Sequence, residues 1–462
     1  MEYREEADTL GTVRVPATAL WGAQTERSRH NFTTGPLMPL PLIRALLQIK
    51  RAAATANRDL GELREEKAEL ISRAATDLLA LPDDQLRPDF PLHVYQTGSG
   101  TQTNMNVNEV IAHQTAKYDP TNGVLPNDDV NHGQSSNDVF PTAMAITARV
   151  AVRQLEDAVQ HLMDELAVKQ AAYQDVVKIG RTHLQDATPL TFGQEVSGWV
   201  SMLDHDWDYL KSLDDSLLEL PIGGTAVGTG LNAAPGFASL VAEQLSQAYN
   251  QPFTAKTNKF FGLAAHSGLN VVHGGLKTLA SDLLKIANDV RFLASGPRAG
   301  YHELNIPANE PGSSIMPGKV NPTQAEALTM AATRVMGNDV TITVAASQGN
   351  FEMNVYKPVI IETFLESATL LTGTVTGFAD KLVHGLTVNT QRMADLVDQS
   401  LMTVTALSPY IGYHASAEIA QLAEREGLTL RAAAVKSGKV TADQFDQWVD
   451  PLAMTGVKQP RN

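Results

Sequence analysis

LKTLASDLLKIANDVRFL, residues 276–293, carries Leu276, Leu279, Leu283, Ile286, Val290 and Leu293 at steps of 3 and 4 throughout. That alternation lays the six side chains along one stripe of an α-helix, the seam of long helices packed nearly parallel. The pattern recurs. Between Thr142 and Gln174 it runs through Leu155, Val159, Leu162 and Leu166, and further on through Ile361, Phe364, Ala368, Leu371, Val375, Phe378 and Leu382. Two more helices are expected near 192–219 and 323–346. A helix of about 30 residues is roughly 45 Å long. Several in succession predict a mainly α chain with a long central helical bundle.

On either side of that bundle the pattern breaks. Residues 1–138 are punctuated by Pro and Gly and predict a mixed, mostly helical N-terminal domain, with a short hairpin in GTVRVPATALWG (11–22). The bundle is expected over 139–393, and a small helical C-terminal domain over 394–462, with Ser408-Pro409 and Gly412 marking a turn. No internal repeat or low-complexity linker is evident.

At 462 residues, 43% of them hydrophobic and 19% charged, the chain reads as an ordinary globular protein with more than one domain. Its net charge of −15 and the lack of a basic run speak against nucleic acid as a partner. An anionic substrate therefore needs a local pocket of donors. There is no cysteine, which excludes disulfides, thiolate chemistry and cysteine-ligated iron–sulfur clusters. The start, MEYREEADTL, is acidic and lacks an apolar signal region. No stretch approaches about 20 uninterrupted apolar residues, so no membrane span is expected and the cytoplasm is the expected location.

Three stretches are polar and rich in glycine. The first is Thr97-Gly98-Ser99-Gly100-Thr101-Gln102-Thr103-Asn104-Met105-Asn106, with its companion Gln134-Ser135-Ser136-Asn137-Asp138, each just ahead of a helical run. Hydroxyls, amides and free N–H groups at helix starts suit a carboxylate, although any one of these residues would serve equally as a helix cap. The second, Gly180-Arg181-Thr182-His183-Leu184-Gln185-Asp186, is read as a short connection between two long helices. A lone histidine is more often structural than catalytic; a loop setting beside Arg181 and Thr182 raises His183. The third, Pro311-Gly312-Ser313-Ser314-Ile315-Met316-Pro317-Gly318-Lys319-Val320-Asn321-Pro322, has two glycines and three prolines in twelve residues and predicts a mobile loop with a defined closed form. Asn321-Pro322 reads as N-cap and first position of the next helix, which sets Glu326 in or near its first turn.

The third stretch resembles the signature loop of the fumarase/aspartase superfamily in full, and the resemblance extends from Trp21-Gly22-Ala23-Gln24-Thr25-Glu26-Arg27 to Leu401-Met402-Thr403-Val404-Thr405-Ala406-Leu407. It implies the L-aspartase/fumarase-like three-domain fold. Three other positions look like the class II fumarases: Gly-Arg-Thr-His at 180–183, where aspartases have Gln last; the spacing of Thr97–Gln102; and Pro322-Thr323-Gln324-Ala325-Glu326. Two positions depart from the class. Leu125 precedes Pro126-Asn127-Asp128 where a His is common, and Phe261 stands where relatives place a Glu.

The resemblance implies reversible hydration of fumarate to (S)-malate through an aci-carboxylate intermediate. Ser313 would be the carbon base. Lys319 and Asn321 would hold the carboxylate that gains charge, and His183, paired with Glu326, would handle the water. Ser99, Gly100, Thr101, Ser135, Ser136, Asn137, Thr182 and Ser314 would position the dicarboxylate, and Asn127 and Asp128 would belong to a second dicarboxylate site. No metal or cofactor is implied. The family forms homotetramers whose active sites are each shared by three subunits. The nearest rival is an aspartate ammonia-lyase; a rival of another class is a non-catalytic helical protein of the same fold.

Overall fold

The computed structural model describes residues 2–121 and 123–457. Helices Ser136–Ala172, Phe192–Asp214, Ser267–Leu293, Thr323–Ala346 and Lys357–Phe378 run 37, 23, 27, 24 and 22 residues. Every member of the three apolar stripes from Leu155 to Leu382 is buried. Each Leu, Ile or Phe removed from water in this way contributes about 1.5–3 kcal/mol, so the stripes carry the fold. Helix Ser136–Ala172 begins ahead of its apolar stripe because Ser135 caps it. The Asn137 N–H donates to Ser135 Oγ (3.2 Å) and the Ser135 N–H to Asp138 Oδ1 (2.9 Å), the reciprocal pattern of a capping box.

The chain folds as two compact units, each assembled from three separate stretches. One consists of Met1–Glu156, Asp208–Thr278 and Thr333–Leu370; the other of Asp157–Trp207, Leu279–Ala332 and Leu371–Asn462. Within the second unit Leu407, Ile419, Leu430, Ala433 and Phe445 make a hydrophobic cluster of their own, against which Trp448 and Val449 pack.

Helix Lys357–Val383, counting its terminal π-turn, is by length and composition apolar enough to cross a membrane. Its stripe from Ile360 to Leu382 is nonetheless buried inside the protein, which makes it a core helix.

The described β-structure is a set of two-stranded sheets. The expected N-terminal hairpin exists, but its strands are Tyr3–Asp8 and Gly11–Pro16, so the acidic start supplies half of it. In the first strand Arg4, Glu6 and Asp8 face inward. Arg4 donates to the Ala19 (2.6 Å) and Trp21 (2.5 Å) carbonyls, Glu6 meets His113 (2.8 Å), and Asp8 pairs with Arg27 (2.8 Å). A strand whose inner face is polar has no apolar alternation by which to recognise it.

Within the second unit Asp206 is buried against Asp282. Burial first, and then the Asp282 charge, push its carboxyl up to about 7. The folded state thus holds a proton that the unfolded chain releases near pH 4, and folding loses stability as pH rises from about 4 to 7. Asp206→Asn keeps a donor there without a charge. It is expected to stabilise the protein by about 1–3 kcal/mol at pH 8, and the gain should vanish near pH 4. Urea midpoints of the two proteins at both pH values check this; equal midpoints at pH 8 would refute it.

Candidate active site

In the first unit the two polar helix starts lie side by side. Asn104 Nδ2 on helix Thr101–Ala116 donates to Ser136 Oγ at 3.1 Å. Gly100 backs onto Phe140 so closely that a Cβ there would sit 2.2 Å from the ring, and its φ of +78° also favours glycine. Gly98 is as constrained: a Cβ would come 1.5 Å from the Val355 carbonyl oxygen, and its own carbonyl accepts the Lys357 N–H at 3.1 Å. Ser99 Oγ and Thr101 Oγ1 are 2.9 Å apart, and no side chain caps helix Thr101–Ala116. Ser135 Oγ accepts the Asn137 N–H as a cap, and Asn137 Nδ2 donates to the Ala226 carbonyl at 2.7 Å. Ser135 keeps its own O–H to donate, and with Ser99, Thr101 and the open N-terminus of helix Thr101–Ala116 it remains available to a carboxylate.

Asn127 and Asp128 line the same open cleft as Ser135, Gln134 and Asn131, a cavity of about 980 Å³. Both are exposed, as is Leu125. Their neighbour Asp129 is the partnered carboxylate, bound to Lys67 (2.5 Å) and to the Leu125 N–H (2.7 Å).

Beneath this cluster lie two side chains that belong to none of the three polar stretches, Lys50 and Lys357, both fully buried. Lys50 Nζ donates to Asn131 Oδ1 and Gln134 Oε1, each at 2.9 Å. A local signal for it exists: Lys50 continues the stripe Ile43, Leu46, Leu47 of helix Leu40–Asp59, a cation at a core position.

In the second unit, residues 177–191 do connect two long helices, Ser136–Ala172 and Phe192–Asp214, and they do so as an antiparallel hairpin, strands Val177–Thr182 and Gln185–Thr191. Thr182 pairs with Gln185, which leaves His183 and Leu184 as a two-residue turn with φ of +58° and +60°. That is the geometry of a type I′ turn, for which Asn-Gly is the usual sequence. His-Leu gives no such signal, so the sequence does not announce the hairpin. Holding two side-chain-bearing residues left-handed costs of order 1 kcal/mol or more each, and such strain concentrates at functional sites. The first strand is locked at both ends: Arg181, next to the turn, donates to Glu303 Oε1 at 2.6 Å and stacks on Tyr301 at 4.5 Å, and Lys178, near the base, reaches Glu303 Oε2 at 3.3 Å. Thr182 and His183 stand exposed at its tip.

The signature loop, in the same unit, is closed at its neck. The Gly312 N–H donates to the Lys319 carbonyl (2.8 Å), and Asn321 Nδ2 to the Gly312 carbonyl (2.6 Å). The first helical hydrogen bond runs from the Glu326 N–H to the Pro322 carbonyl (3.1 Å), so the N-cap position falls on Pro322, one residue later than expected, while the Asn321 amide N–H ties the loop neck. Helix Thr323–Ala346 starts directly after Pro322, with Glu326 in its first turn. Inside the loop, Ser313 Oγ accepts the N–H groups of Ile315 (3.2 Å) and Met316 (3.0 Å). Ser314 and Lys319 are exposed, and Ile315 is 84% exposed. Among the described residues no hydrogen bond or ion pair joins His183 to Glu326.

The chain as a whole is similar to known proteins. The sequence profile of the family described as Lyase matches residues 11–337, and that described as Fumarase C C-terminus matches 404–456. The fumarate hydratase class II of Listeria monocytogenes serotype 4b (strain F2365) is 56% identical over 456 residues, covering 98% of this chain and 100% of the relative. That of Bacillus subtilis (strain 168) is 54% identical, covering 99% and 100%. The crystal structure of recombinant class II fumarase from Schistosoma mansoni superposes with a TM-score of 0.94 at 41% identity, covering all of both chains. With the helical fold, the signature loop and full-length identity in agreement, the chain belongs to the lyase family and, within it, to the class II fumarate hydratases.

Proposed function

We propose that this chain adds water to fumarate to give (S)-malate, and reverses the reaction, at a site built from the three polar stretches. The observation that carries the reading is Ser313, whose Oγ already receives two backbone N–H groups. A serine hydroxyl is a poor base; an alkoxide held by two fixed donors is a better one. In the dehydration direction Ser313 Oγ takes the proton from the carbon beside one carboxylate, and that carboxylate gains charge as an aci-carboxylate. Lys319 and the second N–H of the Asn321 amide stabilise it. His183 then gives a proton to the departing hydroxyl, which leaves as water, and Glu326 fixes the imidazole's orientation. Ser99, Gly100, Thr101, Ser135, Ser136, Asn137, Thr182 and Ser314 position the dicarboxylate. Asn127 and Asp128 form a second, weaker dicarboxylate contact that Leu125 leaves without its usual imidazole.

The working form is a homotetramer in which three subunits share each site. The absent His183–Glu326 bond within one chain supports this, as do the exposed apolar tips Leu184 and Ile315 beside the reacting groups. Helix Thr323–Ala346 also leaves Met330, Val340 and Val344 at 67, 64 and 54% exposure, side chains that a partner would cover. The three-domain division at 138 and 393, and a cytoplasmic location, complete the reading.

The deciding experiment follows fumarate absorbance with malate as substrate, alongside ammonia release from aspartate, on protein stripped with a chelator and handled in air. Malate dehydration at an undiminished rate without ammonia release is expected, because no cysteine is present to hold an iron–sulfur cluster. Ammonia release would make the chain an aspartase. Activity lost to the chelator and restored by iron would overturn the metal-free mechanism, and no turnover at all would favour a non-catalytic role.

A further inference from the structure

A net charge of −15 gives a dianion no general attraction, and apart from Lys319 of the signature loop the proposed dicarboxylate donors, those of the first unit included, are hydroxyls and amides. Further cations lie underneath the donor cluster of the first unit. Lys50, with no exposure, ties Asn131 and Gln134 together, and Gln134 immediately precedes Ser135-Ser136-Asn137. Asn131 Oδ1 also accepts Asn104 Nδ2 (3.1 Å) and Asn108 Nδ2 (3.2 Å), so one acceptor gathers the helix that begins at Thr101 and the ammonium. Lys357 binds the Gly98 carbonyl through its backbone, and its ammonium is buried against Met353 Sδ at 3.0 Å. The carboxylate whose charge reaches both is Asp138, also fully buried, and its oxygens are occupied by the N–H groups of Ser135 (2.9 Å), Gly223 (2.8 Å) and Thr225 (3.0 Å). One carboxylate thus answers two buried lysines, with the half-buried Lys259 also within reach of its charge.

We propose that Lys50 and Lys357, set around Asp138, form a buried cationic base under the Ser99–Thr101 and Ser135–Asn137 clusters, through which binding of a dicarboxylate dianion draws protons into the protein. Lys50 is its positioning residue. The inference rests on the reading of these clusters as the dicarboxylate site.

The charge states agree with this geometry. Burial lowers Lys50 to about 7, and Lys357 and Lys259 to about 8, with the Asp138 charge opposing the fall in each case. The remaining charged neighbours are His266, brought down to about 3 by burial and by Lys357, and the Lys256–Glu219 pair beside Lys259. Helix Thr101–Ala116 contributes only neutral amides to this contact. In the empty site, then, part of the lysine population is neutral above pH 7. A dianion arriving above it favours the ammonium form, and protons enter from solvent.

Calorimetric titration of succinate, a dicarboxylate that cannot be hydrated, into the assembled protein at pH 8 in buffers of different ionisation enthalpy tests the idea. An uptake of roughly half to one proton per site is expected, shrinking toward zero at pH 6, where the lysines are already charged. Lys50→Met should weaken succinate at least about tenfold and lower the proton count. Lys50→Arg, a cation that does not titrate, should bind succinate better than Lys50→Met while taking up fewer protons than wild type. Succinate binding with no proton uptake at pH 8 in the wild type overturns the proposal and leaves the dicarboxylate site standing. Absence of succinate binding instead brings down the reading of the site itself. Should either variant fail to fold, the wild-type buffer series alone still decides.

Discussion

Ser313→Ala is expected to reduce malate dehydration by at least about 10²-fold while succinate still binds, because a positioned proton-transfer group supplies roughly that factor. The substitution is well suited to the question. The loop neck depends on backbone and Asn321 contacts, Gly312 N–H to Lys319 and Asn321 Nδ2 to Gly312, neither of which uses the serine hydroxyl. Only the Ile315 and Met316 N–H groups lose a partner, and in an exposed loop water replaces it. A fall in kcat with little change in succinate affinity is therefore the signature of a lost base. If turnover stays near native, Ser313 is not the base, and the two N–H groups merely shape a turn. If succinate binding disappears together with turnover, the serine organises the loop instead.

The second large effect is a recovery of activity. On the proposed mechanism His183→Asn removes the group that handles water and Ser313→Ala the group that handles the carbon proton, so every site of either variant's proposed homotetramer would be damaged. If the two residues reach a given site from different chains, a mixed tetramer has some sites with both defects and others with neither. Co-expressing the two inactive variants should then restore a fraction of wild-type activity that varies with their ratio. Differently tagged chains must first be shown to co-purify. Mixed tetramers as inactive as their parents would mean that both residues serve one site from one chain, and sharing by three subunits would be refuted. The hairpin makes His183→Asn a clean choice. Asparagine tolerates the left-handed backbone at +58°, so the turn should survive the loss of the imidazole.

The long helices and their buried faces are legible in the sequence. Leu279, Leu283, Ile286, Val290 and Leu293 repeat at the helical period, and that period is local information carried by neighbouring residues. The polar loop that resembles the family signature is legible too, because residues 312–322 are contiguous. Where inward-facing groups are polar, the pattern is blank. Strand Tyr3–Asp8 turns Glu6 and Asp8 toward partners 107 and 19 residues away, and nothing in the strand itself announces them. The turn at His183-Leu184 is hidden differently, by residues that do not favour the conformation they hold.

From the sequence alone come the helical class, the positions of the core stripes, the absence of thiol chemistry and the three polar stretches as candidate chemistry. Each follows from residue type at fixed spacing along the chain. Tertiary structure alone decided that residues 177–191 pair as strands, that Asn321 closes the loop neck, that Ser313 Oγ meets two N–H groups, and that Lys50 lies beneath the donor cluster. In each of these the energy comes from groups that meet only after folding: a strand partner, a carbonyl nine residues back, an amide 81 residues further along the chain. The hydrogen bonds that make those polar groups tolerable away from water are set by distance in space, and spacing along the chain does not encode it.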